Sequence, residues 1–250
     1  MELDWAFFAV AVPAVVFAGF SKGGFAGGAA FAATPLLALI LTPGQAIGLM
    51  LPLLMLMDVT ALKPYWKKWD TPSSLTMIIG AAPGILLAAL LYRYANPDLF
   101  RLLIGLMAVL FVLWQGLRKY GVYHPEAHHM PTWAGYIAGF GAGFTSFISH
   151  AGGPPAAIFL LTRGLTKLQY QAGSVIIFWA INAMKAVPYG ILGIFTAKTL
   201  LADLILAPVA IGSVWLGVIA HRAMPERAFF AFTYLLLMIT GSKLIWDALT

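Results

Sequence analysis

A chain of 250 residues that is 61% hydrophobic and only 10% charged holds more apolar side chain than a soluble core of its size can bury, because soluble domains carry about 25% charged residues. The net charge of +6 comes from Lys and Arg residues that sit mostly in short loops rather than in one stripe, which excludes a nucleic-acid footprint and leaves the lipid bilayer as the first partner. Cysteine is absent, and with it any disulfide framework, thiolate chemistry or Cys-ligated metal.

The segment beginning Met1-Glu2-Leu3-Asp4 lacks the basic region of a cleaved signal peptide, so the first apolar run is expected to stay in the mature protein. Ten apolar segments follow in order: about 5–20, 25–41, 46–62, 73–93, 99–117, 133–149, 151–162, 170–194, 199–220 and 228–247. Turn-forming Thr42-Pro43-Gly44, Asp70-Thr71-Pro72, Asn96-Pro97-Asp98, His124-Pro125 and Met224-Pro225-Glu226 separate them. Strand alternation is missing, so the segments are predicted as helices and a barrel is not expected. A spanning helix needs about 20 apolar residues. The segments 28–41 and 151–162 are short, and each follows a glycine-rich break. We read 5–41 and 133–162 as two helical hairpins, re-entrant or fully spanning. Their tips are Ser21–Gly28 and Thr145–Pro155. Non-helical backbone at membrane depth is tolerated only where protein or a wet cavity covers it.

The two halves repeat. A shift of 124 residues lays Ala18-Gly19-Phe20 on Ala142-Gly143-Phe144, Thr42 on Thr166, Gln45 on Gln169, Asp58 on Asn182 and Pro64-Tyr65 on Pro188-Tyr189. Over 18–65 this gives 13 identities in 48 positions, roughly three times the chance level for such a composition. The fold expected is an all-α polytopic membrane protein of one transmembrane domain, 1–250. Repeat 1 covers about 5–118 and repeat 2 about 133–247, joined by a linker at 119–132. Each repeat is a broken or re-entrant hairpin plus three transmembrane helices. Three is odd, so the second repeat is inverted in the membrane. With the amino terminus outside, the inner loops 63–72, 118–132, 163–169 and 221–227 hold most of the basic residues. Glu2, Asp4, Arg93, Asp98, Arg101, Lys198 and Asp203 fall outside.

Chemistry concentrates at the tips. Lys22 is an ammonium at membrane depth among Ser21, Gly23, Gly24, Gly27 and Gly28. Glycines admit a ligand to the backbone, and a half-helix starting near Gly27 would aim its positive end at it. Cation, bare amides and helix start together describe an anion site. The plainer account is that Lys22 snorkels and that Gly19, Gly23 and Gly27 form a packing seam. The second tip offers Thr145, Ser146, Ser149, His150, Gly152 and Gly153 as donors and approach surface, unless the hydroxyls bond back to their own helix. Asp58 is the one acidic residue well inside an apolar segment. Its mate is Asn182, with Lys185 on the same helical face, and the three are candidates for coupling or gating. Asp58 would pair with Lys185, take part in proton coupling, or reach Lys63 or Lys67 near the headgroups. Gln45 and Gln169 read as polar residues at helix starts. His124, His128 and His129 have no carboxylate or Cys spacing for a metal, and no cofactor is implied. Gly139-x-Gly141-x-Gly143 follows no strand and is no dinucleotide loop. Ser and His at the second tip lack the Gly-x-Ser-Gly setting of an intramembrane protease.

Ala18–Phe25, the stretch Asp58–Trp66, and the second tip ending Gly152-Gly153-Pro154-Pro155 resemble the sulfite exporter TauE/SafE family, also described as toluene sulfonate uptake permeases. The resemblance covers essentially the whole chain. It implies a multi-pass transporter of the bacterial inner membrane that moves a sulfur-containing anion such as sulfite, a sulfonate or sulfoacetate, with protons or the membrane potential as driving force. The expected function is therefore secondary transport by alternating access rather than an enzymatic activity. A small-anion channel and an intramembrane enzyme are the other readings.

Overall fold

The computed structural model describes residues 2–24, 29–94, 96–121, 130–220 and 226–250, and among them every regular element is helical. Helix α1 is Trp5–Gly24. A 3-10 turn at Ala30–Ala32 leads into the short α2, Ala33–Leu37, followed by α3 at Pro43–Tyr65, α4 at Thr71–Tyr94 and α5 at Pro97–Lys119. The second half runs α6 at Ala134–Ser149, α7 at Gly153–Leu161, α8 at Lys167–Ile191, α9 at Ala197–Ala220 and α10 at Glu226–Leu249. Seven of these, α1, α3, α4, α5, α8, α9 and α10, contain a stretch long and apolar enough to cross a membrane. Their outer faces carry Leu86, Leu204, Trp215, Leu235 and Trp246, each more than half exposed, while polar side chains are drawn inward. That arrangement suits a lipid solvent, and the chain is a multi-pass membrane protein.

Local chemistry sets the helix ends. Thr42 accepts from the Gln45 backbone N–H while the Gln45 side chain accepts from the Thr42 backbone N–H, closing a capping box at α3. Thr166 and Gln169 close the same box at α8. Asn96 caps α5 by accepting from Leu99 N–H at 2.8 Å. The polarity of Gln45 and Gln169 is thus accounted for by the helix starts.

Packing follows the 124-residue shift. Pro43, first in α3, falls on Lys167, first in α8, and Leu37, last in α2, falls on Leu161, last in α7. α1 packs along α9, and their shifted counterparts α6 and α4 pack along each other; α3 meets α8, and α5 meets α10. Both tight crossings are made by glycines. A Cβ on Gly23 would lie 2.0 Å from the Val214 carbonyl oxygen, and one on Gly143 would lie 2.3 Å from that of Ala81. Only a missing side chain lets the backbones approach so closely.

The tips are tighter than the sequence suggests. α1 continues through Ser21-Lys22-Gly23-Gly24, and α6 continues through Thr145–Ser149. In the second tip the break is His150–Gly152, where His150 takes φ 57°, a left-handed conformation that His tolerates better than most residues. Glycines against a neighbouring backbone and hydroxyls bonded to helix carbonyls are both compatible with a helix in the membrane, which is why the expected irregular stretches shrink.

Candidate anion site

α1, α3, α8 and the His150 turn surround one buried polar cluster. Asp58 on α3 is 2% exposed, and both carboxylate oxygens are engaged. Oδ1 accepts from the Lys22 ammonium of α1, and Oδ2 accepts from Asn182 Nδ2 of α8 at 2.6 Å. Asp58 and Asn182 stand 124 residues apart, so they are matched by the shift that aligns the halves and also touch each other. Two matched positions can meet only where the halves meet.

Lys185, one turn beyond Asn182 on α8, is fully buried. Its ammonium donates to Ser146 O at 3.0 Å, to Ser146 Oγ at 2.9 Å and to His150 Nδ1 at 2.8 Å. The Ile47 carbonyl oxygen can only accept, so His150 Nε2 carries a proton and donates to it at 3.1 Å. Both ring nitrogens of His150 are used. The expected direct pair between Asp58 and Lys185 is not formed. Asp58 goes to Lys22 instead, and neither Lys63 nor Lys67 is its partner among the described contacts.

A cavity of about 40 Å³ lies against this cluster, large enough for water to enter. Lys22, Asp58, Asn182, Ser146 and His150 line it, and Gly153 presents the start of α7 to it. That start offers few amides. Pro154 and Pro155 have no N–H, and the N–H of Ala156 donates to Gly152 O.

Other predicted residues serve the frame. Ser21 Oγ accepts from Ala29 N–H at 3.2 Å and ties the two arms of the first hairpin together. Gly23 packs on α9, and Gly24 ends α1. Thr145 Oγ1 lies 2.8 Å from Gly141 O and 2.9 Å from Ala151 O, which stitches the second break. Ser149 is buried and bonds weakly back to Thr145 O at 3.5 Å. Gly152 sits where a Cβ would come within 2.9 Å of Ala142 O. Gly27 and Gly28 lie outside the described residues. Arg163 anchors the far end of α7, donating to Ser73 Oγ at 3.1 Å, Met130 O at 2.8 Å and Thr132 Oγ1 at 3.0 Å.

The sequence reading missed Gln171, Ser174 and Phe178, which also line the cavity. The available signal was spacing, since Ser174, Phe178 and Asn182 recur every four residues along one face of α8. Asp203, placed on the outer side by the loop charges, is buried in α9, and neither carboxylate oxygen finds a hydrogen-bond partner among the described residues.

The cluster holds two lysines, one carboxylate and an imidazole, and of the lysines only Lys22 is bonded to the carboxylate. Among curated proteins and among solved structures, no match to this chain is found. The model of the sulfite exporter TauE/SafE family matches residues 11–244, nearly the whole chain, and the chain belongs to that family of membrane transporters.

Proposed function

We propose that this chain carries a small sulfur oxyanion, sulfite or a short sulfonate, across the bacterial inner membrane by alternating access. The observation that carries the reading is a small buried polar cavity lined by Lys22, Ser146, His150 and Asn182 where the halves meet. Sulfite would present three oxygens to Lys22, Ser146 and Asn182, which line that space. Asp58 stands where a bound anion would stand relative to Lys22, so the substrate competes with it for the ammonium. Protonation of Asp58 releases Lys22 and compensates the incoming charge, which couples anion movement to protons. The matched helix pairs, the shared glycine crossings and the contact between Asp58 and Asn182 support two repeats of opposite orientation meeting at the site, as secondary transporters use. The loop charges favour an outer amino terminus and a cytoplasmic 119–132 linker.

Purified protein in liposomes is expected to take up labelled sulfite with saturation, to show counterflow, and to respond to an imposed pH gradient. Saturable flux without counterflow would make it a channel, and chemical change of the sulfite would make it an enzyme. In whole cells, single cysteines replacing Lys68 or Lys167 are expected to resist an impermeant thiol reagent, while cysteines at Pro43 or Lys198 react. The reverse pattern removes the proposed orientation.

A further inference from the structure

A second cavity, about 160 Å³, adjoins the first. α5 contributes Trp114, Gln115 and Arg118, and α8 contributes Tyr170. The Arg118 guanidinium lies over the Trp114 ring, 5.3 Å from its centroid, and both side chains line the cavity. The two cavities share Gly153, Ser174 and Phe178. Tyr170, Ser174, Phe178 and Asn182 follow one another at four-residue spacing on α8. A single helix face thus runs from the Arg118 cavity to the Asp58 cluster, over about 18 Å of helix rise.

We propose that the Arg118 cavity is a second oxyanion site, an approach station from which the anion passes the Ser174–Phe178 constriction into the central cavity. The proposal rests on the reading of the central cavity as an oxyanion site. Its chemistry fits the task. A guanidinium fork pairs with two oxygens of a pyramidal or tetrahedral oxyanion, and Gln115, Tyr170 and Ser174 supply neutral donors. The volumes are graded in the same direction. The outer cavity is about four times the inner one and admits an oxyanion with part of its hydration shell, while the inner one admits it nearly bare. Water is shed along the Ser174 face, where hydroxyl and amide groups replace it step by step. Phe178 is the bulky apolar side chain common to both walls, so its rotamer sets whether the two spaces communicate.

The test is calorimetric titration of the full chain in lipid nanodiscs with sulfite. Two classes of site are expected, a tight central one and a weaker outer one. Arg118→Gln should weaken the outer class about tenfold or more and leave the central affinity in place. Lys22→Met should remove the central class and spare the outer one. Phe178→Trp, which thickens the shared wall, should slow filling of the central class in stopped-flow measurements without changing the outer class. Retention of both classes at wild-type affinity in Arg118→Gln overturns the proposal. A wild type with a single class that Lys22→Met abolishes also overturns it, and leaves the central site standing. If instead both classes survive Lys22→Met while Arg118→Gln removes one, the central reading fails and the outer site is retained.

Discussion

The two hairpin tips occupy matching positions in the chain yet carry their charge differently. In the first half the ammonium comes from α1, at Lys22, and the carboxylate from α3, at Asp58. Under the 124-residue shift Lys22 corresponds to Ser146, Asp58 to Asn182, and Ala61 to Lys185. In the second half, therefore, the tip bears a hydroxyl, the α8 position facing Asp58 bears an amide, and the ammonium has moved one turn along α8. The frame is duplicated down to its capping boxes and glycine crossings, while three exchanged pairs of side chains make the centre electrically lopsided. Lys22 has a counter-ion. Lys185 is held by neutral acceptors alone. One lysine meets a carboxylate, and the other is bonded to the Ser146 and His150 side of the cluster.

The sharpest way to break this contrast is to remove each ammonium in turn. Lys22→Met strands Asp58 in the core, and losing one partner of a buried ion pair costs about 3–5 kcal/mol. Lys185→Met strands no ion, and leaving His150 Nδ1 and Ser146 Oγ without their donor should cost about 1–3 kcal/mol, less than the broken ion pair. Lys22→Met should weaken central sulfite binding about a hundredfold or more, to loss of that class, since it removes the charged donor at the cavity wall, and Lys185→Met should weaken it less because Lys185 lies behind Ser146 and His150. Chemical unfolding in detergent and titration of the same preparations separate the two effects. The double variant Lys22→Met/Asp58→Asn should regain most of the lost stability without regaining binding. Equal destabilisation by the two lysine substitutions would end the distinction between them.

Much of this was legible in the sequence, for identifiable reasons. Helix starts were, because Thr42 with Gln45, Thr166 with Gln169, and Asn96 before Pro97 act within four residues of themselves. The meeting of Asp58 with Asn182 was half legible, because the shift marks them as mates but not as neighbours. The partner of Asp58 was not, because it depends on how α1 lies beside α3. Nor was the extent of the tips. For Gly23 the sequence left a ligand approach and a packing seam open, and for Thr145 a free donor and a bond back to the helix; the Val214 carbonyl against Gly23, and Gly141 and Ala151 beside Thr145, decide for the second of each. Ser174 in an apolar run reads as an ordinary helix residue, and only the register with Phe178 and Asn182 sets it apart.

Asp58→Asn sharpens the comparison by making the matched pair two asparagines. Lys22 then has no internal competitor for the anion, and sulfite should bind about tenfold more tightly. Binding should also lose its dependence on pH insofar as that dependence comes from Asp58. Of the charged and titratable groups around it, Lys22, Lys185 and His150 all remain. Uptake driven by a proton gradient should collapse while sulfite exchange persists. An unchanged pH dependence of net uptake would assign Asp58 to structure alone and move proton coupling elsewhere in the chain.

The smallest expected effect tests the shared frame rather than the exchanged charges. Thr42 and Thr166 make the same reciprocal cap with a glutamine three residues on, at exposed helix starts where neither side chain touches the cluster. Loss of such a cap costs about 1 kcal/mol. Thr42→Ala and Thr166→Ala should therefore lower stability by nearly equal amounts, read by tryptophan fluorescence during unfolding in detergent. The two losses should add in the double variant, because the caps share no partner. Sulfite affinity should be unchanged in all three. If one cap proves much more costly than the other, α3 and α8 are not equivalent supports. The asymmetry of the centre would then extend into the frame, and the three exchanged pairs would no longer be enough to account for the difference between the halves.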